Sequence, residues 1–151
     1  MTNPHQPYFD AVLAALGANA DPSESFAEFC ADNGEVMLTE ICIRLDTDRA
    51  QAAGYPHGLT LLWDQVSGWI WARGTSDDRL SNPELLAFGL VVTPDGIATA
   101  ADLLLSGRAD ALPIQCETTA PSDNPLTDAL AKAVAEGNLD HTTAAQLAQY
   151  A

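Results

Sequence analysis

The sequence predicts an α+β fold, in which an antiparallel sheet of three or four strands packs against helices from both ends of the chain (order α-β-β-β-α). Two observations lead to this prediction. Apolar residues recur at helical spacing near the N-terminus and over 94–107, whereas 36–45 and 59–71 alternate with a period of two. Of 151 residues, 47% are hydrophobic types, and a chain of this length can bury one substantial core.

The first element is a helix over 7–17, with Pro7 in its first turn and Gly17 at its end. Its inward stripe comprises Val12, Leu13 and Leu16. A second, shorter helix is predicted over 22–31 because Ser23 can cap it. The inward stripe of that helix comprises Phe26, Phe29 and Cys30.

Three strands are predicted next, joined as an antiparallel meander. The first covers 36–45, because one parity of that segment is mainly apolar: Met37, Thr39, Ile41, Ile43 and Leu45. The segment 49–56 is predicted as a loop with a helical fragment. Two further strands, 59–63 and 69–71, flank a tight turn in which Asp64 and Gly68 are typical turn residues.

The second half of the chain contains three more predicted features. Asn82-Pro83-Glu84 has the pattern of a helix start, and 89–93 is either a short fourth strand or an extended connection. The 96–106 helix begins at Pro94-Asp95-Gly96, ends at Gly107 and lies on the same face of the sheet as 7–17. We expect a core domain over 1–110, an exposed linker over 111–124 and a helical hairpin over 125–151.

The charge of the chain limits its partners. Asp and Glu outnumber Lys and Arg by 21 to 6, which gives a formal net charge of −15. Six basic residues cannot form the positive stripe that DNA, RNA or an anionic membrane surface requires. This charge favours a basic protein, a cationic peptide or metal ions as partner, unless it serves solubility alone. The candidate partner-binding residues are the loop acids Asp46, Asp48, Asp77 and Asp78.

Motifs for catalysis, cofactors or metals are not recognised in the sequence. Asp46-Thr47-Asp48 resembles the start of a calcium loop, but Gln51 and His57 occupy its sixth and twelfth positions. There is no Gly-x-Ser-x-Gly turn and no phosphate-binding loop. We therefore expect no enzyme, no cofactor and no metal site.

The cysteines and the chain's hydropathy predict its compartment. The odd, widely spaced Cys30, Cys42 and Cys116 argue against a disulfide framework or a zinc site. The first residues do not read as a secretory signal, and no apolar run approaches the ~20 residues of a membrane-spanning helix. We expect a cytoplasmic protein.

Three tryptophans, Trp63, Trp69 and Trp71, lie within the predicted hairpin. They are candidates for an exposed aromatic patch or the lining of a pocket, although strand parity predicts that at least two belong to the core.

The leading functional hypothesis is a non-enzymatic interaction module, an adaptor, chaperone or regulator. Its negative surface would steer a basic protein partner, and a small apolar patch would be buried on binding. One alternative is a nucleic-acid mimic that inhibits a DNA- or RNA-binding protein. Another is a small-molecule binder with a tryptophan-lined pocket. The C-terminal hairpin is a candidate for self-association or for docking a partner.

Three groups of residues carry a resemblance to a known family. Pro7-Tyr8, Leu61-Leu62-Trp63-Asp64 with Gly68-Trp69, and Leu104-Leu105-Ser106-Gly107 follow an order that resembles a family of small uncharacterised actinobacterial proteins, a domain of unknown function. The likeness spans about residues 7–110. It implies an α-β-β-β-α core and no catalytic residue, cofactor or substrate. A looser likeness, in size, acidity and element order, is to small secretion chaperones.

Overall fold

An antiparallel sheet forms the centre of the molecule. The structure is a computed structural model that describes residues 3–32 and 35–151, with the backbone alone over 29–39. Within those residues the sheet has five strands, each adjacent to the next along the chain. They are β1 (Ala20–Asp32), β2 (Glu35–Leu45), β3 (Leu59–Asp64), β4 (Gly68–Arg73) and β5 (Glu84–Leu85). The predicted α+β class is confirmed, and the sheet is larger than the three or four strands expected.

The helices are α1 (Gln6–Leu16), α2 (Thr47–Ala52), α3 (Pro94–Leu105), α4 (Asp128–Ala135) and α5 (His141–Leu147). The helices α1 and α3 pack against each other and cover one face of the sheet. Tyr8 of α1 is fully buried and contacts the rings of Trp63 and Trp69. The helix-covered face of β2 and β3 contributes buried aliphatic side chains: Ile41, Ile43, Leu45, Leu59 and Leu61.

The prediction of a helix over 22–31 is wrong, because this segment lies in β1. Its backbone pairs with β2 from Phe26–Cys42 to Asp32–Glu35. Without β1, the outer edge of β2 would leave its backbone groups unpaired, and this long-range pairing outweighs the local helical spacing. Ser23 caps no helix; its N–H and hydroxyl both donate to the Asp21 carboxylate within an irregular stretch of the strand. The predicted packing of Phe29, Cys30, Met37 and Thr39 lies outside the described side chains.

The prediction of a helix start at 82–84 is also wrong. Glu84 and Leu85 form β5, which pairs with Trp71 and Ile70 of β4. The next N–H, that of Leu86, donates to the Trp69 carbonyl, so this segment satisfies the outer edge of β4. Residues 89–93 form neither a strand nor a simple extended connection: 89–91 bend, and a single bridge joins Val92 to Thr118.

The chain after α3 is attached to the rest of the molecule. Four backbone hydrogen bonds join 111–124 to 86–93; their N···O distances lie between 2.7 and 3.2 Å, and they link Ile114–Leu86, Phe88–Ile114, Thr93–Glu117 and Thr119–Val91. The expected helical hairpin is formed by α4 and α5, whose N-caps are Thr127 and Asp140. Its buried side chains, among them Leu130 and Leu147, belong to the same hydrophobic cluster as α1 and the sheet.

Candidate functional site

Asp46 and Asp48 lie at the start of α2. Asp46 is its N-cap, and one of its carboxylate oxygens accepts a hydrogen bond from the Arg49 N–H at 3.1 Å. Asp48 is exposed in the first turn, where a negative charge suits the helix dipole. Both acids therefore have a local structural role, and their contact with a partner stays a prediction.

Asp77 and Asp78 lie in the exposed turn after β4. Asp77 accepts a hydrogen bond from the Thr75 hydroxyl and lies 3.7 Å from Arg79. Asp78 adopts a left-handed backbone conformation with φ of 65°. This turn and the loop after α2 meet at one end of the sheet, where the Gly74 N–H donates to the Gly58 carbonyl at 2.9 Å.

The same end of the sheet also carries most of the positive charge. Of the chain's five arginines, four belong to the strand ends, the helix α2 and the turn at this end: Arg44, Arg49, Arg73 and Arg79. The structure thus brings the four predicted acids to one end of the sheet, but it places them among cations. Among these four acids, only Asp77 lies within ion-pair distance of an arginine in the described residues.

The three tryptophans lie on the helix-covered face of the sheet. Trp63 and Trp69 are directly opposite on β3 and β4, and all three indoles are at most 3% exposed. The Trp63 Nε1–H donates to the Leu90 carbonyl at 2.8 Å, and the Trp69 Nε1–H donates to the Tyr8 hydroxyl at 3.0 Å. Trp71 Nε1 is buried without a hydrogen-bond partner. These rings are core residues, and Trp71 in addition forms one wall of a cleft.

The opposite side of the sheet, here called the open face, carries a row of apolar residues. Directly opposite partners continue through all five described strands: Phe26, Cys42, Leu62, Ile70 and Leu85. We call these five residues the apolar row. The two end members are 43% and 37% exposed, and the other three are partly buried. Four inter-strand spacings make the row about 19 Å long.

A shallow groove continues the apolar row beyond Leu85. It has a volume of about 290 Å³ and is bordered by Val66, Leu85 and Phe88. Val66 is 84% exposed, because Asp64 holds the β3–β4 turn by accepting hydrogen bonds from the N–H groups of Val66 and Ser67. Among the described residues, four of the five exposed large apolar side chains thus border the row or its groove; the fifth is Leu80.

Beside the apolar row lies a row of carboxylates. Glu28, Glu40 and Asp64 are directly opposite one another on β1, β2 and β3, each two residues from a member of the apolar row. We call them the acidic row. None of the three forms an ion pair within 3–32 and 35–151, and the first 43 residues contain seven acids and no Lys or Arg. Like charges directly opposite one another destabilise a sheet, so this arrangement opposes folding.

The pKa of Cys42 supports this placement. Burial raises the pKa of its thiol, the charges of Glu40 and Glu28 raise it further, and Arg44 opposes them. Arg44 lies on the other side of the apolar row, where its guanidinium reaches the His57 carbonyl at 3.3 Å. Arg44 is directly opposite Thr60, and Thr60 is directly opposite Ala72, so these three residues form a third row of the open face. Thr60 and Ala72 are buried. The accessible part of the open face is therefore an apolar row with carboxylates along one side.

Sequence reasoning missed the open face because it placed two of its strands in helices. With 22–31 and the residues after 82 assigned as helical, neither Phe26 nor Leu85 could be aligned with the central strands. A signal was nevertheless present, since Cys42, Leu62 and Ile70 are apolar on the parity that does not face the core. A sheet whose two faces are both apolar has a second surface to cover.

Other kinds of site lack support in the part of the chain that the structure describes. No group of three His, Cys, Asp or Glu side chains there is arranged to hold a metal ion. Among the described helices, none has the length and apolarity needed to cross a membrane. Self-association through the C-terminal hairpin stays a prediction; the apolar side chains of α4 and α5 that are buried face the core.

Comparison with known proteins gives no match to this chain among family models, curated proteins or solved structures. The resemblance to the actinobacterial family over 7–110 therefore stays a prediction. Any argument about function depends on the geometry of the open face.

Proposed function

We propose that this chain is a non-enzymatic interaction module that binds a basic protein through the open face of its sheet. The observation that carries the proposal is that four exposed large apolar side chains belong to the apolar row or to the groove beside it: Phe26, Val66, Leu85 and Phe88. Contiguous apolar surface of this kind is typical of a protein-binding site in a molecule that is otherwise well covered.

The charge beside the row specifies the partner's chemistry. Glu28, Glu40 and Asp64 present three carboxylates along one side of the apolar row, and none of them has an ion-pair partner in the described part of the chain. A partner with Lys or Arg next to its own apolar side chains would bury the row and neutralise the carboxylates together. Such complementarity also speeds association, since a net charge of −15 attracts a basic molecule over several ångströms.

A second copy of the chain fits the open face less well. Two open faces in contact would bring two acidic rows into one interface, against only Arg44 from each copy on the other side of the apolar row. Like-charge juxtaposition of this kind costs several kcal/mol and acts against a wrong partner. A basic partner is therefore favoured over a homodimer through this face.

The four acids predicted from the sequence contribute to attracting the partner rather than to contacting it. Asp46, Asp48, Asp77 and Asp78 add to the long-range negative potential, although arginines stand among them. We place the complex in the reducing cytoplasm, in keeping with the free thiols of Cys42 and Cys116. Catalysis, cofactors, nucleic acid and membranes have no part in this proposal.

The test captures the partner with paired variants of the immobilised chain. Phe26→Ser/Leu85→Ser removes the exposed ends of the apolar row, and Leu80→Ser is its control, since Leu80 is 47% exposed outside the row. Glu28→Gln/Glu40→Gln removes two charges of the acidic row, and Glu117→Gln/Asp123→Asn removes two exposed charges elsewhere. Each variant is first checked for native near-ultraviolet circular dichroism.

The expected result is a basic protein retained by the wild type and both controls from lysate of the encoding organism. Calorimetry with that purified protein should give a Kd about tenfold weaker for the row variant. The acidic-row variant should bind more slowly and with a smaller dependence on salt. Equal affinity for all variants would contradict the proposal. Release of the captured protein by DNA competitor would instead support the nucleic-acid-mimic alternative.

A further inference from the structure

A cleft opens at the edge of the sheet where the apolar row ends. It lies between the β4–β5 edge and the 3₁₀ turn Ala109–Ala111 with the residues after it, and its volume is about 520 Å³. Apolar side chains line part of it, including Trp71, Leu85 and Leu112, and charged side chains line the rest: Arg73, Glu84 and Asp110. A cleft of this size admits an alkyl chain with a polar head, since small-molecule pockets begin at about 300 Å³.

The one cation of the cleft already has partners. The Arg73 guanidinium carbon lies 5.7 Å from the ring centroids of both Tyr55 and Trp71, a cation–π arrangement on two rings. Its Nη2 atom lies 4.0 Å from the Glu84 carboxylate. An anionic ligand would have to compete with Glu84 for Arg73 while being repelled by Asp110.

The charges of the cleft do not cancel. Asp110 is exposed and forms no ion pair within residues 3–32 and 35–151. Two carboxylates against one guanidinium leave the cleft with a formal charge of −1, inside a molecule that is itself strongly negative. A ligand that balances the charge of the cleft is a cation. The apolar walls of Leu85 and Leu112 fit a ligand whose positive head group is attached to a hydrocarbon stem.

The cleft and the open face meet at the edge strand β5. Leu85 is both the last member of the apolar row and a wall of the cleft, whereas Glu84 pairs with Trp71 on the helix-covered face. A basic protein that covers the row and extends around this edge would bring its side chains to Glu84 and Asp110.

We infer that this cleft takes an organic cation with an apolar stem, and that its natural occupant is a Lys or Arg side chain of the docked partner. The identity of that occupant rests on the proposed function. The preference of the cleft for an organic cation does not rest on the proposed function, because small probe molecules test it in the absence of any partner protein.

The experiment follows the three indole N–H resonances of the isotope-labelled chain by nuclear magnetic resonance. The Trp63 and Trp69 N–H groups donate to fixed internal acceptors and serve as internal references. Trp71 lines the cleft, and its N–H is buried without a partner among the described residues, so its resonance reports on occupancy. The probes are the Nα-acetyl amides of arginine, lysine, norleucine and glutamate, which share a backbone and differ in the side-chain head.

The expected result is a saturable shift of the Trp71 resonance with the arginine or lysine probe, while the two reference resonances stay in place. The norleucine probe, which has the stem without the charge, should bind about fivefold more weakly. Glu84→Gln/Asp110→Asn should abolish that preference, and the Glu117→Gln/Asp123→Asn control should retain it.

Three outcomes would overturn the inference: no shift with either cation, equal binding of norleucine, or stronger binding of the glutamate probe. Butylamine and butylguanidine form a further arm, which separates a free organic cation from a peptide side chain. Tighter binding of these free cations than of the arginine and lysine acetyl amides would exclude a partner's side chain as the natural occupant. The proposed function can fail separately, if the captured partner does not depend on Phe26 and Leu85.

Discussion

Glu28 and Glu40 lie directly opposite each other on β1 and β2, and Glu40 faces Asp64 on its other side. Glu40 is thus flanked by a carboxylate on both neighbouring strands, at positions where side chains approach within about 5 Å. Selection for stability alone would not produce this arrangement. It is understandable if the acidic row meets positive charge in a complex.

Glu40→Gln should therefore stabilise the chain while weakening its complex. Removing the central charge relieves two repulsive pairs, worth together about 0.5–1 kcal/mol in the free energy of unfolding. Urea denaturation at low and high salt measures it, and the gain should shrink in high salt because the repulsion is screened. Glu117→Gln, an exposed acid outside the row, is the control. A loss of stability in Glu40→Gln at low salt would show that the row is not repulsive.

Tyr8→Phe should destabilise the fold strongly. The Tyr8 hydroxyl donates to the Val92 carbonyl at 2.5 Å and accepts from the Trp69 indole, and burial raises the pKa of Tyr8. Phenylalanine would leave a buried carbonyl and a buried N–H unsatisfied, at a cost of about 3 kcal/mol in the free energy of unfolding. Urea denaturation followed by tryptophan fluorescence measures the loss. Tyr55→Phe, a partly buried tyrosine, should cost less than about 1 kcal/mol, and equal losses would contradict this account.

Gly74→Ala should disturb the contact between the start of the turn that carries Asp77 and Asp78 and the loop after α2. A Cβ at this position would lie 2.0 Å from the His57 carbonyl oxygen, so one of the two backbones must move. Overpacking of this kind costs about 1–3 kcal/mol. Thermal unfolding should show a lowered Tm, whereas Ser76→Ala in the exposed turn should leave it unchanged. An unchanged Tm in Gly74→Ala would mean that this close approach does not constrain the fold.

Local patterns predicted most of the elements, and long-range pairing decided the others. Pro7 and Gly17 delimit α1, and Asp64 and Gly68 shape the hairpin turn, because these signals act within a few residues. The strand β1 was not predicted, because its own residues have helical spacing. It can be predicted only after β2 is recognised as a strand whose outer edge needs a pairing partner. The Asn33-Gly34 dipeptide between them is a hairpin signal that sequence reasoning passed over.

The candidate site was harder to predict than the fold. Loop acids attract attention in a sequence because they stand in polar surroundings, as Asp77 and Asp78 do. The open face instead depends on which residues are opposite one another across five strands, and this register is invisible until every strand is placed. The mechanism predicted from composition, charge steering with burial of an apolar patch, can be proposed for particular side chains only once that register is known.

The buried imidazole of His5 should make the stability of the chain depend on pH. The ring is fully buried against Trp63, and its Nε2–H donates to the Glu40 carbonyl at 2.7 Å. Nδ1 is buried without a partner, so a second proton would have no acceptor. Burial lowers the pKa of His5 to about 4 from 6.5, against the opposing effect of hydrogen bonds to the backbone of Glu40 and Glu28.

The sign of the effect follows from where the proton binds. Between pH 6.5 and about 4 the unfolded chain takes up a proton at this histidine that the folded chain refuses. The stability contributed by the neutral ring is therefore complete above pH 6.5 and is lost as the pH falls towards 4, by at most about 3 kcal/mol. His5→Gln should flatten this part of the urea-denaturation profile, and His141→Gln, at an exposed position, should not. Protonation of the many carboxylates acts in all three proteins alike, so the difference between the profiles isolates His5. Parallel profiles for the wild type and His5→Gln would refute the assignment.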